Sequence, residues 1–318
     1  MATRVFLTID TELAWRHHAA GLCWKETYSR SIEPAGVGLS YQLAQLARHD
    51  LKACFFIDPM PAVLFGLAPV RRMIETVLAA GQEVQFHCHP NWLGAHGDGT
   101  VTPGTPFELT CMDKAQQREA IAMARDLLVE AGAPEPVAFR AGSYAADDDT
   151  IAVLAERGIR FDSSFNGAEP RDVSAISLPR KQAAPIRTGG VMEVPVGQLR
   201  QPSGTLRPLQ ICAVSSGELR HAIDHAAAHD HPATVIVGHS FELATRDGLR
   251  VNDVVRRRFD QLCRDLAARH EEAPTAHFVD LRPRDLVGDA NHASVPALRY
   301  AHRMAEQLWA NWIERRAA

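Results

Sequence analysis

Short apolar runs alternate with segments of helical period from residue 4 to residue 281, and five of those runs end on residues able to do chemistry. The expected strands are 4–9, 52–57, 83–88, 137–140, 159–165, 233–238 and 277–281, with two strand-like pieces near 191–196 and 209–214. Between them, apolar residues recur at helical spacing over 38–49, 69–80, 113–131, 147–157, 216–229 and 251–270. Alternating strands and helices without a linker or a repeat point to one α/β domain with a parallel sheet. A distorted (β/α) TIM-like barrel of seven or eight strands fits the count. A doubly wound sheet is the second choice, weakened because no Gly-x-Gly-x-x-Gly follows an early strand. Residues 1–290 form the expected barrel and 291–318 a C-terminal helical extension.

The run ends are Asp10-Thr11-Glu12, His87-Cys88-His89, Arg140-Ala141-Gly142-Ser143-Tyr144, Asp162-Ser163-Ser164 and His239-Ser240. In α/β barrels the carboxyl ends of the strands form the rim that holds the active site. Side chains two apart on a strand share a face, so Asp10 and Glu12 converge, as do His87 and His89. Two imidazoles and a carboxylate make a catalytic divalent site with open positions. A second carboxylate would then serve as general base and a separate histidine as general acid. Asp10, Glu12, His87, His89 and His239 supply that set. Taken singly each has a plainer reading: Asp-x-Glu as a turn or cap, Arg140 as an ion-pair residue, His239 as a core histidine, and Asp162 as a turn cap through its side chain.

Composition narrows the rest. The formal net charge is −4, from 34 basic and 38 acidic residues, which gives no support to a nucleic-acid partner. No apolar run approaches the roughly 20 residues that span a bilayer. The first residues lead straight into the Val5–Asp10 run with no signal-peptide pattern, and the six cysteines are scattered, so reduced thiols and a cytoplasmic location are expected. The 90–111 stretch reads as a long functional loop. Residues 294–316 read as an amphipathic helix, packed on the barrel or across a homodimer, with a membrane-surface helix as the other reading.

The ordered motifs resemble those of the polysaccharide deacetylase family (NodB homology, carbohydrate esterase family 4). Thr8-Ile9-Asp10-Thr11-Glu12 resembles its first acidic motif, Ala53-Cys54-Phe55-Phe56-Ile57 the next strand, and Gly81-Gln82-Glu83-Val84-Gln85-Phe86-His87-Cys88-His89 the histidine motif. Phe139-Arg140-Ala141-Gly142-Ser143-Tyr144 resembles the arginine motif, Phe161-Asp162-Ser163-Ser164 and Glu193-Val194-Pro195-Val196 the strands that follow, and Val237-Gly238-His239-Ser240 the last histidine motif. The resemblance implies a distorted barrel, a divalent metal (zinc, or else cobalt or nickel) and hydrolysis of acetyl groups on sugars. It implies Asp10 as base, Glu12 and His87 as metal ligands, Arg140 orienting Asp10 and His239 as acid. A backbone N–H after the metal motif would hold the oxyanion.

Two departures stand out. The ligand carboxylate is Glu12, two residues after the base. The second histidine is expected four residues after the first, where Asn91 stands. Strand alternation and the better donor character of imidazole favour His89; Asn91 as an oxygen ligand, or an impaired site, are the alternatives. The expected substrate is a soluble or membrane-associated amino-sugar precursor. Cyclic amide hydrolysis, deformylation and sugar binding without catalysis are the competing functions.

Overall fold

Alternation along each strand decides which side chains face the interior and which face the helices. The computed structural model describes residues 2–317, with side chains as far as Leu308. On the first strand, β1 (Arg4–Thr11), Val5, Leu7 and Ile9 join the outer core with the apolar faces of helices Leu39–Arg48 and Ala68–Ala79, while Phe6 lies in a second, inner cluster. β2 (Cys54–Ile57) repeats the division: Cys54 and Phe56 inside, Phe55 and Ile57 outside. On β3 (Glu83–Cys88), Val84, Phe86 and Cys88 pack outward, so Glu83, Gln85 and His87 face in. Cys88, although flanked by two histidines, is therefore a buried structural thiol, and burial pushes its pKa up.

The remaining strands are β4 (Ala138–Ala141), β5 (Phe161–Asp162), β6 (Ile186–Thr188), β7 (Val191–Glu193), β8 (Gln198–Arg200), β9 (Leu206–Pro208), β10 (Ala233–His239) and β11 (Ala293–Ser294). One curled sheet has the order β10-β1-β2-β3-β4-β5-β7-β6, parallel throughout except for the β6–β7 hairpin. The far side is completed by irregular backbone bonds. Val196 N donates to Phe165 O, Gly197 N to Val235 O and Ile211 N to Val237 O. This is the expected distorted barrel. The doubly wound alternative fails, because β10 returns beside β1 and the order has no central switch point.

The six long expected helices are present as Leu39–Arg48, Ala68–Ala79, Lys114–Glu130, Asp148–Glu156, Ser216–Ala228 and Asp253–Ala267. Several strand expectations need correction. No strand covers 277–281; the chain bonds to β1 earlier, through Val5 N to Pro274 O and Ala276 N to Val5 O. It then turns Phe278 inward, where its ring stacks on Phe6 at 4.1 Å and floors the barrel. The Glu83 carboxylate takes the N–H groups of Phe278 and Val279, replacing a strand ladder. The 159–165 strand shrinks to Phe161–Asp162, because the Asp162 carboxylate accepts from the Ser164 N–H and hydroxyl. The 191–196 piece shrinks to β7, and 209–214 reduces to a bridge between Gln210 and Val237. The three-stranded sheet β11-β8-β9 was not anticipated.

The C-terminal helix, Ala297–Ala317, is held by polar contacts. Arg303 donates to Glu218 at 3.1 Å and to Gln201 at 2.7 Å, and Glu306 accepts from Arg258. Leu298 and Leu308 are exposed, whereas Tyr300 is half-buried and packs against the outer core. No helix of the described residues is long and apolar enough to cross a membrane.

Candidate active site

Parallel register brings the strand-end residues to one level. Asp10 is opposite His239 on β10 and Phe56 on β2, and His87 is opposite Arg140 on β4. All five point inward, in the parity of the inner-cluster residues Phe6, Phe56, Ala138 and Val237.

Arg140 is fully buried and spends its donors on fixed partners. Nη1 donates to Asp10 Oδ1 at 2.7 Å and to Thr8 Oγ1 at 2.9 Å; Nε donates to Ser163 O at 3.0 Å. Its guanidinium lies 4.5 Å from the Phe56 ring centroid. The other Asp10 oxygen is 3.9 Å from His239 Nε2. On its far side His239 Nδ1 faces Glu242 Oε2 at 3.3 Å, and Gln42 donates to the His239 carbonyl. Burial pushes the His239 pKa down, but the hydrogen bond and charge of Glu242, then Asp10, lift it to about 9. At neutral pH this imidazole carries a proton it can give away.

One strand position further out, Glu12 meets two histidines. Its Oε2 is 3.2 Å from His87 Nε2 and 2.5 Å from His89 Nε2. The ligand atoms of Glu12, His87 and His89 all lie within 4.8 Å of one another. His87 Nδ1 is 2.7 Å from Arg140 O, an arrangement in which Nδ1–H donates to the carbonyl and leaves the Nε2 lone pair available to a cation. Glu12 Oε2 is buried yet has no hydrogen-bond partner of good geometry. Three converging donors with an orphaned carboxylate oxygen fit a divalent cation. Burial pushes the Glu12 carboxyl up, but the charge and contacts of His89 and His87 hold it well below its ordinary value. Burial pushes His89 down, but Glu12, then Asp58 and Asp10, raise it to about 9.

Asn91 is buried in the turn after His89, and its Oδ1 also lacks a partner. Asp162 sits behind Arg140 against Glu193, where burial and mutual repulsion push the Glu193 carboxyl well up. Three further residues of the site had no role assigned from the sequence. Asp58 follows β2 in the inward parity of Cys54 and Phe56, a signal that was readable; burial raises its pKa to about 6. Glu242 is three residues after His239, but only the fold turns it back on the ring. Tyr144 has φ of 60°, and its buried hydroxyl has no partner; the burial that raises its pKa is reinforced by Asp10. A small cavity of about 30 Å³ lined by Gln198, His225, His231 and His292 lies near Ala233, at the opposite end of β10 from His239.

A Mycobacterium smegmatis protein assigned as a polysaccharide deacetylase superposes with a TM-score of 0.51 at 16% identity, covering 96% of this chain and 91% of its own. The chain has the polysaccharide-deacetylase fold. The 4-alpha-glucanotransferase of Thermococcus litoralis matches with the same TM-score at 10% identity, covering 99% of this chain and 46% of that enzyme. A family 4 carbohydrate esterase from Streptomyces lividans in complex with acetate covers 91% of this chain at 15% identity and a TM-score of 0.44. No protein-family model and no curated protein sequence matches. A protein assigned as a deacetylase and a glucanotransferase share this fold, so the fold alone does not fix the reaction.

Proposed function

We propose that the protein is a metal-dependent hydrolase that removes an N-acetyl or related acyl group from an amino-sugar substrate. The observation that carries this reading is the juxtaposition of Glu12, His87 and His89 with an Asp10 flanked by Arg140 and His239. A solved protein of the same fold named as a polysaccharide deacetylase supports it.

Glu12, His87 and His89 would hold the divalent ion, most simply zinc. When bound, the ion supplies Lewis acidity toward the acyl oxygen and the attacking water. Asp10, fixed by Arg140, takes a proton from that water as its oxygen bonds to the acyl carbon. As the carbon–nitrogen bond breaks, His239 gives its proton to the leaving amine. Glu242 steadies the imidazolium before that transfer, and Arg140 keeps Asp10 aimed. The products are a carboxylic acid and a free amino sugar.

The test is acetate release from N-acetylated sugars together with metal analysis. Asp10→Asn should retain metal and lose on the order of 10²–10⁴ in turnover. Glu12→Ala should lose the metal itself. Equal acetate release from Asp10→Asn and wild type overturns the base assignment, and an active wild type free of divalent metal overturns the metal chemistry. Metal bound without hydrolysis of any acyl sugar would favour a sugar-binding role.

A further inference from the structure

Arg16 is a half-buried cation at the rim without an anionic partner. It follows Glu12 by four residues, in the short helix Trp15–Ala19. Its Nε donates to Arg246 O at 2.8 Å, and its guanidinium lies 4.7 Å from the Phe241 ring centroid. Phe241 in turn packs on His239, with ring centroids 5.2 Å apart. No carboxylate of the described residues lies within ion-pair distance of Arg16. The charges that act on it are a like charge, Arg246, and the Glu12 carboxylate, which the metal-ligand cluster engages. Two guanidiniums held near one another cost energy unless an anion joins them. With Nε committed to a carbonyl, the Nη groups of Arg16 remain as a donor pair suited to a multi-oxygen anion.

The direction from the reacting centre also counts. His239 protonates the leaving amine in the mechanism above, so the sugar attached to that nitrogen must extend past His239. The side chains next in that direction are Phe241 and then Arg16, with the exposed Arg246 beside it. We infer that Arg16 and Arg246 form an anion subsite that binds a phosphate ester carried by the amino sugar, with Phe241 as the apolar floor between it and the reacting centre. The placement of the sugar rests on the proposed function; the cationic subsite does not.

Calorimetry on the full chain, stripped of metal by a chelator, tests both without turnover or phosphate–metal binding. The probes are N-acetylglucosamine 1-phosphate, N-acetylglucosamine and inorganic pyrophosphate. The phosphorylated sugar should bind about tenfold or more tighter than the neutral one, as charge-assisted hydrogen bonds imply. Arg16→Gln should remove that margin and leave the neutral sugar unchanged. Arg246→Gln, at an exposed position where misfolding is not a concern, should reduce it. Equal binding of the two sugars by wild type overturns the subsite, as does a margin that survives both substitutions. If neither sugar binds but pyrophosphate does, and Arg16→Gln abolishes it, the subsite stands and the amino-sugar reading falls. If no anion binds, the subsite is overturned.

Discussion

Arg140 Nη1 lies 2.7 Å from Asp10 Oδ1, and both side chains are shut away from water. A buried pair of this kind need not stabilise a fold, because desolvation offsets the attraction, but removing one member strands the other. Arg140→Met should therefore cost about 3–5 kcal/mol in urea unfolding of the metal-free protein. The double variant Asp10→Asn/Arg140→Met should recover part of that loss, since the two residues share one interaction. A single variant as stable as wild type would show that the pair contributes nothing to the folded state.

Glu242 gives His239 its acid character, and that sets a pH dependence. The His239 pKa, normally near 6.5, is lifted to about 9. The proposed mechanism requires protonated imidazole, so turnover should fall as pH rises through about 9. Glu242→Gln removes the charge behind Nδ1 and should move that basic limb down by on the order of one pH unit. The same shift carries a stability sign. A histidine whose folded pKa is raised contributes stability fully present below about pH 6.5 and lost as pH climbs toward 9. Thermal melts of Glu242→Gln across that window should be flatter than those of wild type. An unchanged basic limb in the pH–rate profile argues that another group delivers the proton.

Much of this site was legible because two rules act locally. Strand alternation pairs Asp10 with Glu12 and His87 with His89, and parallel architecture sends strand ends to one rim. What escaped depended on contacts remote in sequence or on tight turns. Glu242 reaches His239 only because the chain turns back after β10. Phe278 read as a strand residue because it is apolar and flanked by Val279 and Leu281; its ring is needed instead to floor the barrel against Phe6. The 159–165 strand was overextended because Asp162 and Ser164 satisfy backbone and hydroxyl groups with side chains, which apolar periodicity cannot foresee. Asp58 was readable, since it shares the inward parity of Cys54 and Phe56.

Metal binding should release a proton. Without metal, His89 has a pKa of about 9 and is protonated at pH 7, whereas Glu12 is held ionised. A ligating imidazole must be neutral, so affinity should rise with pH until His89 has titrated. Zinc titrations at pH 7 in buffers of differing ionisation enthalpy should show about one proton released per ion. His89→Ala should abolish that release and weaken binding, while Asn91→Ala should leave the proton count intact. Proton release that persists in His89→Ala would transfer the ligand role to another group.

The last prediction concerns a residue with no chemistry of its own. Gly142, just beyond Arg140 on the inward side, lies so close to His89 that a Cβ there would collide with the imidazole ring at Nδ1, Cε1 and Cγ. The ring cannot stay where it meets Glu12 if that space is filled. Gly142→Ala should therefore displace His89 while leaving Arg140, Asp10 and the inner core in place. Metal affinity should fall by about 10–100-fold, the range seen when groups that orient ligands are removed, with only a modest drop in unfolding temperature. Combining it with His89→Ala should add little further loss, because both act through the same ligand. If Gly142→Ala binds metal as tightly as wild type, His89 does not need the position it holds beside Glu12.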